Sequence, residues 1–157
     1  ALTRLYPSII LYFLNNFPDV SYNKDFQQEY TDLVNPLGKT IFAGRNRANV
    51  FIYAMVLAIA KGVEKKPIEK GKKAPNLPPD AFSEEMRWYM RTVAILDSED
   101  LEIFLEHRKV LDIAESYANA GFPLVLDLVN KTIPGEDIEA IFETALRDHV
   151  KNRQKKN

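Results

Sequence analysis

An all-α fold is predicted: a single compact domain of six or seven helices around a buried central helix at about residues 46–61. Three features of the chain predict it. Residues 50–60 read VFIYAMVLAIA, eleven apolar residues in a row in a chain with 27% charged residues. Most flanking segments place apolar residues three and four apart, the spacing of a helix with one buried face. No stretch shows the sustained alternation of a half-buried strand. At 157 residues and 46% hydrophobic content, the chain suits one domain, assigned to 1–150, that buries about two-thirds of its unfolded surface. Residues 151–157 read as a basic, flexible tail.

The elements follow in chain order. Pro7 suits a first helical turn, and residues 8–16 read as a short helix with Ile10, Phe13, Leu14 and Phe17 on its heavier face. The same stretch is a poor targeting segment: its apolar core is short, Arg4 alone supplies positive charge, and no small-residue cleavage site follows. Asp25 is expected to cap a second helix with Phe26, Tyr30, Leu33 and Val34 inward, ended by Asn35 and Pro36. Leu37, Gly38, Lys39 and Thr40 match only the end of a phosphate loop and lack its upstream glycine, so they read as a turn.

The central run would make a helix of about 20 Å, short of the roughly 30 Å hydrocarbon core of a membrane. Asn46 is its expected N-cap, and Lys61 with Gly62 its ending. One face carries Ala48, Phe51, Ile52, Met55, Val56 and Ile59; the other carries Val50, Tyr53, Ala54, Leu57 and Ala58. A helix apolar all round is expected to be buried on nearly every face. Ala54, Ala58 and Ala60 would let neighbours come close.

Residues 61–79 hold six lysines, two glutamates and four prolines, and read as a surface loop with room for a small hairpin at Val63 or Ile68. Asp80 is then expected to cap a helix to Leu96 with Phe82, Met86, Tyr89, Val93 and Leu96 inward. Trp88, near Arg87 and Arg91, reads as a core-boundary aromatic under arginines or as a stacking platform for a base. Ser98, Glu99 and Asp100 open the next helix, in which Leu101, Phe104 and Leu105 pack, with a break near His107 and Arg108. Ala120 and Gly121 end it, with Asn119 or Gly121 left-handed, and Pro123 starts another. Pro134 begins the last, whose stripe is Ile138, Ile141, Phe142, Ala145, Leu146 and His149.

Catalytic chemistry finds little footing. Cysteine is absent, which removes disulfides and thiolate chemistry and is compatible with a cytoplasmic protein. His107 and His149 share no metal-binding spacing, and Glu102, Glu106 and the acids at 97, 99 and 100 read as a solvated helix start. No nucleophile elbow occurs. No catalytic, cofactor or metal site is expected, and the chain is read as a non-enzyme.

Net charge is −1, so no global basic field announces nucleic acid. Basic groups gather in three places: before the central helix, in the lysine loop, and from Arg147 to the C-terminus. The candidate nucleic-acid contacts are Arg45, Arg47, Lys61, Lys65, Lys66, Lys70, Lys72, Lys73, Arg87 and Arg91.

Two stretches together carry a resemblance. One is IFAGRNRANVFIYAMVLAIAKG at 41–62, followed by KKPI at 65–68; the other is EDLEIFLEHRKVLDIAESYANAGFPLVLDLV at 99–129. Their order is similar to that in a family of small proteins encoded beside DNA phosphorothioation (Dnd-type) genes. Phe42, Arg47, Ala58, Gly62, Pro67, Ile68, Phe82, Tyr117, Ala118, Asn119 and Gly121 fit the family's pattern. The chain departs from it at Ala58, Ile59 and Ala60, where Leu–Gly is expected before the basic loop, and at Ala114, where a phenylalanine is usual. The resemblance implies a non-enzymatic accessory role in a DNA modification–restriction defence system. Partners would be other proteins of that system, with DNA as a further candidate and no membrane. The alternative expectation is a helical protein-interaction or oligomerisation module with no nucleic-acid role.

Overall fold

A computed structural model of the chain describes residues 17–132 and 136–155. Strand β1 (Val20–Asn23) leads into helix α1 (Gln27–Val34), then α2 (Arg47–Ala60), strand β2 (Lys73–Leu77), α3 (Glu84–Ser98), α4 (His107–Asn130) and α5 (Ile138–Gln154). The described residues therefore hold five α-helices and two strands, not six or seven helices alone; the helix expected at 8–16 lies outside them. One hydrophobic cluster draws residues from all five helices and both strands. Helix α5 runs through Gln154.

Helix α2 is the centre, with the ends expected of it. Asn46 Oδ1 accepts from the Asn49 N–H at 3.0 Å, and Gly62 leaves the helix at φ +65°. Its main neighbour is α4, and the two come together at one glycine. A Cβ on Gly121 would lie 1.8 Å from the Ala54 carbonyl oxygen and 3.0 Å from the Ala58 Cβ. Gly121 is thus no helix ending, as its place before Pro123 suggests, but the point where one helix backbone touches another. Helix α4 continues through Pro123 to Asn130. An interior proline costs about 3 kcal/mol. Phe122 and Val125, both fully buried beside it, each contribute about 1.5–3 kcal/mol of apolar transfer, which outweighs that cost.

The sheet is the largest departure from the expected all-α fold. Strands β1 and β2 pair antiparallel with Val20 opposite Leu77 and Asn23 opposite Lys73, with an irregularity between Ser21 and Asn23. No hairpin forms at Val63 or Ile68 within the loop; Ile68 is tucked inward, and the loop's far end pairs with a strand fifty residues earlier. Strand β1 does alternate, with Val20 and Tyr22 buried and Ser21 and Asn23 half-buried, but over four residues only, and a two-stranded sheet tolerates the proline of KAPNL because both strands are edges.

Other boundaries shift for local reasons. Ser83, whose Oγ accepts from the Met86 N–H at 3.1 Å, caps α3, while Asp80 sits in a 3-10 turn at Pro79–Ala81. Helix α3 keeps Ser98 and ends at Glu99, which is left-handed. Asp100 then caps a 3-10 turn, Leu101–Leu105, and α4 opens at the break expected near His107. Leu96, Leu101 and Tyr89, expected inside, are exposed. The buried face of α3 is turned toward Met90, Arg91 and Ala94, because Arg91 is itself interior.

Candidate functional site

Most cations proposed for nucleic acid have other partners. Arg47 donates to the Tyr22 hydroxyl at 2.9 Å and lies over its ring. Lys72 pairs with Asp25 at 2.7 Å, and Lys73 reaches Asp112 at 3.2 Å and Glu115 at 3.3 Å. Arg87 donates to the Pro79 carbonyl. Arg91 is 1% exposed, its guanidinium 5.0 Å from both the Phe17 and the Trp88 ring centroids. Arg45, Lys61, Lys66 and Lys70 are exposed and have no carboxylate partner among the described residues. Arg45 and Lys61 lie at opposite ends of α2, so the basic groups do not gather on one cation-only face.

The lysine loop is instead fastened to the helices. Lys65 donates to Asp97 at 2.6 Å, and the Lys66 N–H donates to the Ser116 carbonyl. Asn119 Nδ2 donates to the Lys66 carbonyl at 2.9 Å, while its Oδ1 accepts from Asn23 at 3.1 Å. Glu115, 1% exposed, accepts from the Ser21 N–H as well as from Lys73. Burial pushes its carboxyl up, against the pull of Lys73. The stretch Tyr117, Ala118, Asn119 and Gly121 is therefore an architectural hub in mid-helix: Tyr117 reaches α3, Asn119 holds the loop and β1, and Gly121 seats α2.

Asp97 gives that fastening a pH dependence. It accepts from Lys65 and, at 2.7 Å, from the Tyr117 hydroxyl. Burial pushes its carboxyl up, but these two bonds and the Lys65 charge outweigh burial and leave the pKa lowered. The Tyr117 phenol is pushed up to about 12 by burial and by Asp97. The unfolded chain, with an ordinary carboxyl near about 3.9, takes up the Asp97 proton first on acidification. Asp97's contribution is thus complete above that range and is lost as pH falls through the lowered folded value. Urea denaturation from about pH 7 to about pH 3 is expected to show a shallower acid loss in Asp97→Asn than in the wild type.

The feature with room for a ligand is on α2. The helix is apolar all round, but it is not covered all round. Ala48, Phe51, Met55 and Leu57 are buried, whereas Asn49, Tyr53, Val56 and Ala60 form a half-exposed stripe. This stripe corrects the expectation of burial on nearly every face. Its first three residues, Asn49, Tyr53 and Val56, form the floor of an open groove of about 600 Å³. Met86, Tyr89 and Val93 of α3 make one wall, and Phe142 and Leu146 of α5 the other. The Tyr53 and Phe142 rings meet at 4.2 Å between centroids. Glu85 and Glu139 stand on the two walls, Arg45 stands at the end nearest the α2 N-terminus, and the Tyr89 hydroxyl donates to Glu85. None of these groove residues except Arg45 was expected to be functional. One sequence signal pointed to them: Asn49, just before the apolar run, and Tyr53, within it, lie one turn apart on the same stripe.

Among the described residues no three His, Asp or Glu side chains group as metal ligands, and no helix is long and apolar enough to cross a membrane. No family model, curated protein or solved structure matches the chain.

Proposed function

We propose that this chain is a non-catalytic, cytoplasmic accessory protein of a phosphorothioation-linked DNA modification–restriction system, and that it acts by holding a protein partner against its central helix. One observation carries the protein-contact part: the apolar stripe of α2 at Tyr53 and Val56 opens into a groove where a fully apolar helix calls for a neighbour. Association with the modification system rests on the resemblance at 41–62, 65–68 and 99–129. DNA contact has less support. Lys65, Lys72 and Lys73 spend their charge on Asp97, Asp25, Asp112 and Glu115, so they release few counterions on meeting phosphate.

The test is co-purification of the tagged chain with the products of neighbouring genes, beside a DNA titration at two salt concentrations. A partner retained by the wild type and lost with Val56→Asp is the expected result. Salt-sensitive DNA binding with no protein partner would replace this function with a nucleic-acid one, and no binding in either assay would remove it.

A further inference from the structure

We infer that the groove on α2 receives an amphipathic helix whose apolar stripe is flanked by basic residues. The inference rests on the preceding proposal that the chain works by protein contact, and it names the chemistry of the partner. Three observations carry it.

The first is shape. The floor runs from Asn49 to Val56 along one stripe, about 10 Å or two helical turns. Its walls are two further helices, so an added helix would lie where a bundle neighbour belongs. The second is polarity. Ile52, Val56, Met86, Val93, Phe142 and Leu146 make the lining mainly apolar, as the side of a packed helix requires, and its polar side chains, Asn49, Tyr53, Thr92 and the two glutamates among them, are divided among three helices. The third is charge. Glu85 of α3 and Glu139 of α5 both line the trough, with Arg45 the single cation among its lining residues, and Arg45, Glu139 and Asp137 all act electrostatically on the Tyr53 phenol. Lysines or arginines beside the apolar stripe of an incoming helix would meet these carboxylates.

Charge also decides against a second copy of this chain. An isologous contact sets the same patch against itself, so a groove lined by Glu85 and Glu139 against one cation, Arg45, would face a copy with the same net negative charge. Like charges placed so are repulsive.

Two synthetic helical peptides with one shared leucine stripe, one flanked by lysines and one by glutamates, test the inference by fluorescence anisotropy on the full chain. The lysine-flanked peptide is expected to bind at least about tenfold tighter, with the advantage shrinking as salt is raised. Val56→Asp should abolish binding. Glu85→Lys combined with Glu139→Lys, both exposed positions, should reverse the preference while the fold is retained.

Equal affinity for the two peptides, no binding of either, or a preference unmoved by the charge reversal would overturn it. A sedimenting dimer that the peptide dissociates would overturn it too, by making a second copy the occupant. Failure here is distinguishable from failure of the proposed function. A system partner lost with Val56→Asp, with neither peptide bound, removes the basic helix and keeps the function; a peptide bound with no system partner does the reverse.

Discussion

Gly121→Ala is expected to destabilise the protein by about 3 kcal/mol or more, the upper end of what overpacking costs. The new Cβ would lie 1.8 Å from the Ala54 carbonyl oxygen, and the atom it meets is backbone, which cannot swing aside. The sign makes the test sharp. Helix propensity alone would favour alanine over glycine by about 0.8–1 kcal/mol in a helix interior. A loss therefore reports the α2–α4 contact and nothing intrinsic to α4. Gly44→Ala separates space from backbone strain: Gly44 has φ +79° and nothing within 4 Å, so the cost there is only about 1–2 kcal/mol. Urea denaturation should show the lower midpoint with an unchanged slope.

Phe122→Ala is expected to cost about 3–5 kcal/mol. The ring is fully buried, stacked on Tyr30 at 4.4 Å and 8°, and tilted against Phe26 at 4.7 Å. Its loss would undo the seat of α1 on α4 and the aromatic stack that continues from Tyr30 to Tyr22. Pro123→Ala, one residue on and exposed, is expected to do the opposite. Removing a proline from a helix interior restores a backbone donor and recovers up to about 3 kcal/mol. Thermal melts of the two variants should fall on either side of the wild type, and the near-ultraviolet tyrosine signal should weaken in Phe122→Ala alone.

The helices were legible where local signals and tertiary contacts agree. Asn46 and Gly62 bound α2 as expected, and the stripe at Ile138 and Phe142 packs as its period predicts. Where tertiary contacts override local signals, the sequence misleads. Gly121 followed by Pro123 has every local mark of a helix ending, yet the glycine is required by Ala54, a residue 67 positions away along the chain. The β1–β2 pairing joins two short segments about fifty residues apart; Val20 and Tyr22 favour a strand, but KAPNL does not, and only the distant partner completes the pair.

The candidate site was legible in composition and not in position. Counting lysines showed a basic loop, but not that Asp25, Asp97, Asp112 and Glu115 meet it. The groove was hidden for a related reason. Apolarity all round α2 indicates what the helix prefers to touch, while the coverage of each stripe depends on how α3 and α5 splay.

The central claim is that one stripe of α2 is open while the rest is sealed, and the absence of cysteine from the chain permits a direct measurement. Val56→Cys and Met55→Cys place single thiols one residue apart on the helix, the first in the groove and the second fully buried. Under native conditions a thiol reagent should modify Val56→Cys readily and leave Met55→Cys untouched until denaturant is added. Equal protection of both thiols, or equal reactivity of both, would contradict the open stripe and the docking function built on it.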